Sequence, residues 1–197
     1  NPMYPQWQGD DITANPGSNK QACAALDAFA SDGANKGVTD AWNQHYSVIK
    51  AANLITESAS KAPVAQDKID VALGNAHFWR AYAYYYLVRV FGPVPLITGT
   101  DVSQLEVAPS SVEKVYELIV SDLKAAVNEL PTKYEKEPSR LFGVDVWTTK
   151  QAAQATLSAV YMSMAGYPLN KGTEYYKLAA EQAKSVIDNN GSYGFIL

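Results

Sequence analysis

The stretch AHFWRAYAYYYLVRVFGPVPL, residues 76–96, decides how the rest of the chain is read. Between Phe78 and Val88 nearly every position is aromatic or aliphatic, so no single face of a helix could hold them all. A helix that is apolar all round must be wrapped by neighbours. Gly92-Pro93 then stops it, because glycine suits a C-terminal cap and proline cannot continue the ladder. With a start near Asp67, the stretch predicts a buried helix over about 67–91.

Upstream, Thr39 or Asp40 is placed to cap a helix whose inward stripe is Trp42, Tyr46, Ile49, Asn53 and Thr56, spaced by three and four. Ala62-Pro63 closes that helix. Downstream, residues 93–109 carry too many Pro and Gly for a helix and read as an extended crossing segment. Ser110 with Glu113 reads as a capping box for a helix through Val115, Leu118, Ile119, Leu123, Val127 and Leu130, ended by Pro131. After a polar connector, Thr148 with Gln151 reads as a second capping box, for a small-residue helix built on Ala152, Ala153, Ala155, Ala159, Val160 and Met164. Gly166 and Pro168 end it, and a last helix is expected from Thr173 to Asn189, followed by a short strand-like tail, Ser192 to Leu197.

The fold class that follows is all-α: antiparallel helical hairpins in a tetratricopeptide-like stack with long irregular loops. Expected helix starts near 40, 111 and 174 lie roughly 63 to 71 residues apart, about twice the 34-residue repeat of such arrays, so the repeats are stretched by insertions. The domain expectation is an irregular loop segment over 1–39, packed on the helices, and a helical-hairpin domain over 40–197. Within the first segment Gly9, Pro16, Gly17, Gly33 and Gly37 interrupt any periodicity, and only Gln21 to Phe29 has the makings of a short helix.

Composition narrows the function classes. Of 197 residues, 47% are hydrophobic and 18% charged, which excludes a disordered chain. The net charge of −4, without a Lys/Arg run, argues against nucleic acid and against an anionic membrane surface. No apolar stretch reaches membrane-spanning length, since residues 71–91 carry Asn75, His77, Arg80 and Arg89. Cys23 is the single cysteine, so a disulfide within the chain and a thiolate metal cage are both excluded. Tyr 13 and Trp 4 outnumber Phe 5, a bias toward aromatics with a polar tip.

The helical blocks also carry a resemblance. Trp42-x3-Tyr46-x2-Ile49-x2-Ala52-Asn53, then Ala76-x-Phe78-x-Arg80-Ala81-Tyr82 running to Phe91-Gly92-Pro93-Val94-Pro95-Leu96, resembles the SusD/RagB family. Val112-x2-Val115-Tyr116-x2-Ile119-x2-Asp122-Leu123 with Leu130-Pro131, Thr149-Lys150-x-Ala152-Ala153 with Tyr161, and Tyr175-Tyr176-x2-Ala179-x3-Ala183 continue that resemblance in order, from Trp42 to Tyr193. It implies a non-catalytic glycan-binding lipoprotein of the bacterial outer membrane. Such a protein captures oligosaccharide or polysaccharide and delivers it to a SusC-like TonB-dependent transporter. It implies also that the 197 residues are the front, helical part of a longer protein whose lipid anchor lies outside them. The alternative left open is a hairpin scaffold whose own role is docking to protein, or capture of a non-glycan nutrient such as peptide.

Sugar binding needs flat apolar faces for pyranose C–H bonds and polar groups for hydroxyls. The non-helical stretch that offers this mix holds Tyr4, Trp7, Asp10, Asp11 and Asn15, and the resemblance implies a ligand role for the loop preceding the Trp42 helix. The competing expectation is that Tyr4 and Trp7 pin the loop down while Asp10 and Asp11 cap turns. Asn53, on an apolar stripe, is expected to hold a loop carbonyl. Arg80 and Arg89 lie on opposite sides of one helix and are expected to pair with separate acids. Trp147 and Tyr134 in the connector are expected to pack. No catalytic, metal or cofactor role is expected of any residue: His45 and His77 lack metalloenzyme spacing, and no nucleophile or phosphate-loop motif occurs.

Overall fold

In the computed structural model the described residues are 9, 11, 13, 14, 17, 21–101, 106–134, 140–141, 144–145 and 147–189. Among them are six α-helices: α1 (Gln21–Asp27), α2 (Lys36–Ser58), α3 (Gln66–Phe91), α4 (Val112–Glu129), α5 (Lys150–Ala165) and α6 (Thr173–Asp188). A single 3-10 turn, Ala59–Lys61, follows α2. Among the described residues strand is confined to two short antiparallel ribbons. In one, β1 (Val94–Pro95) pairs β2 (Pro109–Ser110). In the other, β3 (Arg140–Leu141) pairs β4 (Val144–Asp145). The all-α expectation is met, and the crossing segment 93–109 is held at both ends by the first ribbon.

Contacts divide the chain into two units, Asn1–Val48 and Ile49–Leu197. In the first, Leu26 of α1 is 1% exposed, and Asp27 Oδ2 accepts from the Ala14 N–H at 2.9 Å. Asn35 organises the entry to α2: its Oδ1 accepts from the Gly37 N–H at 2.8 Å, and its Nδ2 donates to the Ala22 carbonyl at 3.0 Å. The cap is therefore Asn35, four to five residues before the Thr39 or Asp40 expected, because its side chain satisfies orphan N–H groups of the opening turn. Farther along α2, the Trp42 and Tyr46 rings meet at 4.9 Å.

The second unit is a set of antiparallel helix pairs. Its contacts run in opposite senses along partner helices. Gly74, Arg80 and Tyr85 of α3 meet Leu130, Asp122 and Tyr116 respectively. Gln154, Ser158 and Tyr161 of α5 meet Ser185, Ala179 and Tyr175. Between the hairpins, Lys150 N–H donates to the Pro131 carbonyl at 2.9 Å, and the Tyr85 hydroxyl reaches Ser163 Oγ at 2.7 Å. Ala81, Leu87, Val115, Ile119, Leu123, Leu157 and Val160 fill the core at 0–2% exposure. Burying each branched side chain of that size stabilises by about 1.5–3 kcal/mol.

Small residues set how closely the helices approach. At Gly74 an added Cβ would stand 2.8 Å from Leu130 Cγ and 3.1 Å from Glu129 Cβ, so no larger residue fits without a shift. Both later helices start one residue beyond the expected caps. Ser111 Oγ, not Ser110, accepts from the Lys114 N–H at 3.4 Å, since Ser110 is paired across the ribbon with Val94. Thr149 Oγ1, not Thr148, accepts from the Ala152 N–H at 3.4 Å. Thr148 is buried, its carbonyl taken by the Tyr134 hydroxyl at 2.7 Å, and Gln151 donates to the Asn189 carbonyl rather than closing a box. The prediction that α3 is wrapped all round fails on one side: Trp79 is 47% and Tyr82 46% exposed.

Candidate functional site

The residues proposed from sequence for ligand contact fall mostly outside the described set. Tyr4, Trp7, Asp10 and Asn15 lie outside the described residues, as does the tail 192–197. Asp11 is exposed in a turn. What the structure does bring together is a buried polar hub that positions the crossing segment after α3.

The hub starts from Arg80, on the inward face of α3 and 7% exposed. Its Nε donates to Asp122 Oδ2 and its Nη2 to Asp122 Oδ1, both at 2.7 Å, a bidentate fork onto α4. Its Nη1 donates to Asn53 Oδ1 of α2 at 2.9 Å. Asn53, fully buried, turns its amide N–H groups outward to the Ile97 and Gly99 carbonyls at 2.9 and 3.1 Å. Tyr84, one turn beyond Arg80, accepts from the Ile97 N–H at 2.7 Å, and its own hydroxyl is 3.2 Å from the Ile97 carbonyl. At the outer end Glu57 accepts from the Thr100 N–H at 2.8 Å and from the Thr100 hydroxyl. Three helices and the loop 94–101 are thereby tied through one set of side chains.

Electrostatics follows from burial. Desolvation works against the Arg80 charge, but the hydrogen bonds and the charge of Asp122 outweigh it and hold the guanidinium above its ordinary value. Burial pushes the Tyr84 phenol up to about 12. Glu57 is held below the usual carboxylate range by its two bonds from Thr100. His45 is lowered by burial, against the opposing effect of its bond to the Ala41 carbonyl. The arrangement is a positioning device: it supplies fixed, satisfied polar groups beneath a loop and leaves no reactive pair for acid–base work.

The role foreseen for Asn53, holding a loop carbonyl, is what the structure shows, doubled. Arg80 has its acid, whereas Arg89 lies over the Tyr85 ring at 4.0 Å and donates to the Tyr85 carbonyl at 3.1 Å. Asp122 was missed as the partner of Arg80, although an acid on the stripe of Val115, Ile119, Leu123 and Ala126 signals a buried cation opposite. The Tyr134 and Trp147 rings pack edge to face at 5.5 Å, with Trp147 still 40% exposed. No helix among the described residues is long and apolar enough to cross a membrane.

Residues 6–162 match a SusD-like family described as "Starch-binding associating with outer membrane". The chain belongs to the SusD-like family. A SusD-like protein P2 of Formosa agariphila is 31% identical over 165 residues, covering 82% of this chain and 29% of the relative. Among solved structures, a SusD superfamily protein from Parabacteroides distasonis superposes with a TM-score of 0.77 at 26% identity, covering 90% of this chain and 36% of that one. A crystal structure with xylogluco-oligosaccharide superposes with a TM-score of 0.73 at 26% identity, covering 90% and 34%. This SusD-like chain therefore spans less than a third of the length of that curated relative and about a third of those solved chains.

Proposed function

We infer that the protein captures oligosaccharide or polysaccharide at the bacterial cell surface, without turning it over, and hands it to a SusC-like TonB-dependent transporter. Its place in this reading is the outer membrane, as a surface-exposed lipoprotein. The observation that carries the inference is the relative solved with xylogluco-oligosaccharide, alike over 90% of this chain, within a family described as starch-binding. The chemistry agrees: a sugar needs polar-tipped aromatics and pre-satisfied polar groups, since an unpaired buried amide costs more than its bond returns. In this reading the hairpins are scaffold, the hub fixes the loop at 94–101, and Tyr4, Trp7, Asp10, Asp11 and Asn15 supply sugar contacts.

Affinity electrophoresis and calorimetry of the protein against a polysaccharide panel test it. Saturable binding of at least one glycan, with no release of reducing ends, is the expected result. Tight binding of a peptide or protein with no glycan response would overturn it. A second reading, in which the hairpins dock to protein, is favoured by one observation, the exposed Trp79 and Tyr82 face of α3. Pull-down of a barrel transporter that is lost in Trp79→Lys supports that reading.

A further inference from the structure

Away from the hub, the open end of the α5–α6 hairpin carries a cleft of about 300 Å³. It forms because the two helices are antiparallel: the first turns of α5 and the last turn of α6 come to the same end. Lys150, Gln151 and Gln154 form one wall, Ser185 and Asn189 the other, and Thr132 closes the side. The bond from the Lys150 N–H to the Pro131 carbonyl holds the bend at Thr132 in place.

The described lining residues are all of polar type, though their aliphatic stems form much of the surface, and none of them is an acid. Gln154, 9% exposed, spends its Nε2 on Ser185 Oγ at 2.9 Å, and among the described residues no hydrogen bond reaches its Oε1. Gln151 spends its Nε2 on the Asn189 carbonyl at 2.9 Å, while its Oε1 is shut from water with no partner. The Lys150 ammonium has no ion pair among the described residues. The Gln154 oxygen left without a described donor is an acceptor awaiting a hydroxyl group, and its soft terminal torsion can turn it toward the cleft because Ser185 Oγ pairs with either end of the amide. An apolar ligand would strand these groups, and a cation would meet Lys150 with no carboxylate to offset it.

We propose that this cleft binds one sugar ring bearing a carboxylate, a uronic acid unit, with the carboxylate on Lys150 and the ring hydroxyls on Gln154, Ser185 and Thr132. The volume sits at the small end of ligand pockets, which suits a single ring. The proposal rests on the glycan-capture reading and adds to it a second contact point with its own preference.

The test is a titration of the full chain with glucuronate, glucose and acetate, read by the side-chain amide signals of Gln151 and Gln154 in NMR. Glucuronate should move both signals, with glucose weaker by about tenfold, the scale of one charge-assisted hydrogen bond. Acetate should leave them in place. Lys150→Met should bring glucuronate down to the level of glucose, and Thr132→Val should weaken both sugars, each with an unchanged melting temperature. An unaltered glucuronate response in Lys150→Met, an equal response to acetate, or no response at ~100 mM sugar overturns the proposal. Failure here with glycan binding retained on the polysaccharide panel removes the cleft alone; a glucuronate response beside a silent panel removes the broader reading.

Discussion

Removing the Asp122 carboxylate leaves the Arg80 guanidinium in a site that is 7% exposed, with Asn53 Oδ1 as its remaining described acceptor. An unpaired charge there is far costlier than the pair itself is worth. Asp122→Ala is therefore expected to lose about 3–5 kcal/mol in urea unfolding, and Arg80→Met with Asp122→Leu to lose much less. Equal losses in the two variants would show that the charge is not desolvated. Tyr84 gives a pH signature. Its folded-state value of about 12 exceeds the ordinary 10.0, so the folded protein holds the phenol proton more tightly than the unfolded chain. That contribution is complete below pH 10 and is lost as pH rises toward 12. Tyr84→Phe should flatten this alkaline limb of the stability profile and cost about 1–3 kcal/mol at neutral pH, because the Ile97 N–H loses its acceptor.

At the scale of elements, the α3–α4 hairpin depends on Gly74. In an isolated helix Gly→Ala stabilises by about 1 kcal/mol. Here the new methyl would stand 2.8 Å from Leu130 Cγ, which is no flexible side-chain tip, so Gly74→Ala should instead destabilise by about 1–3 kcal/mol. Leu130→Val in the same chain should recover part of that loss, and calorimetric melting of the two variants checks both. The helices themselves were legible in sequence: the expected spans agree with α2 to α6 to within about four residues, the usual latitude of helix ends. Their caps were less so, because whether Ser110 or Ser111 caps α4 depends on a ribbon with Val94, far away along the chain. Likewise Trp79 reads as core by composition; its exposure depends on what covers α3, which spacing along one helix does not contain.

For the whole molecule, the division of labour between scaffold and loop makes a prediction at Trp7. Trp7→Ala should weaken glycan binding by tenfold or more, about 1.4 kcal/mol, and leave the melting temperature in place. A collapse of cooperative melting would make Trp7 a packing residue. Much less of the candidate site than of the fold was legible. Residue types suggested where sugar chemistry could reside, but the hub and the cleft are products of chain reversal. Glu57 meets Thr100 across 43 residues and Gln154 meets Ser185 across 31, and neither pairing leaves a periodic trace.

The hub also bears on how the chain assembles. Arg80 closes bonds across 27 residues to Asn53 and across 42 to Asp122. In a half-formed intermediate with α4 undocked, the guanidinium would lose water without gaining its carboxylate, so such a state is penalised. Docking of α2, α3 and α4 is thereby coupled through one guanidinium, and the loop at 94–101 takes its bonds from the side chains of α2 and α3. Opening that loop would break only its bonds to Asn53, Tyr84 and Glu57 and would leave the Arg80–Asp122 pair between the helices closed.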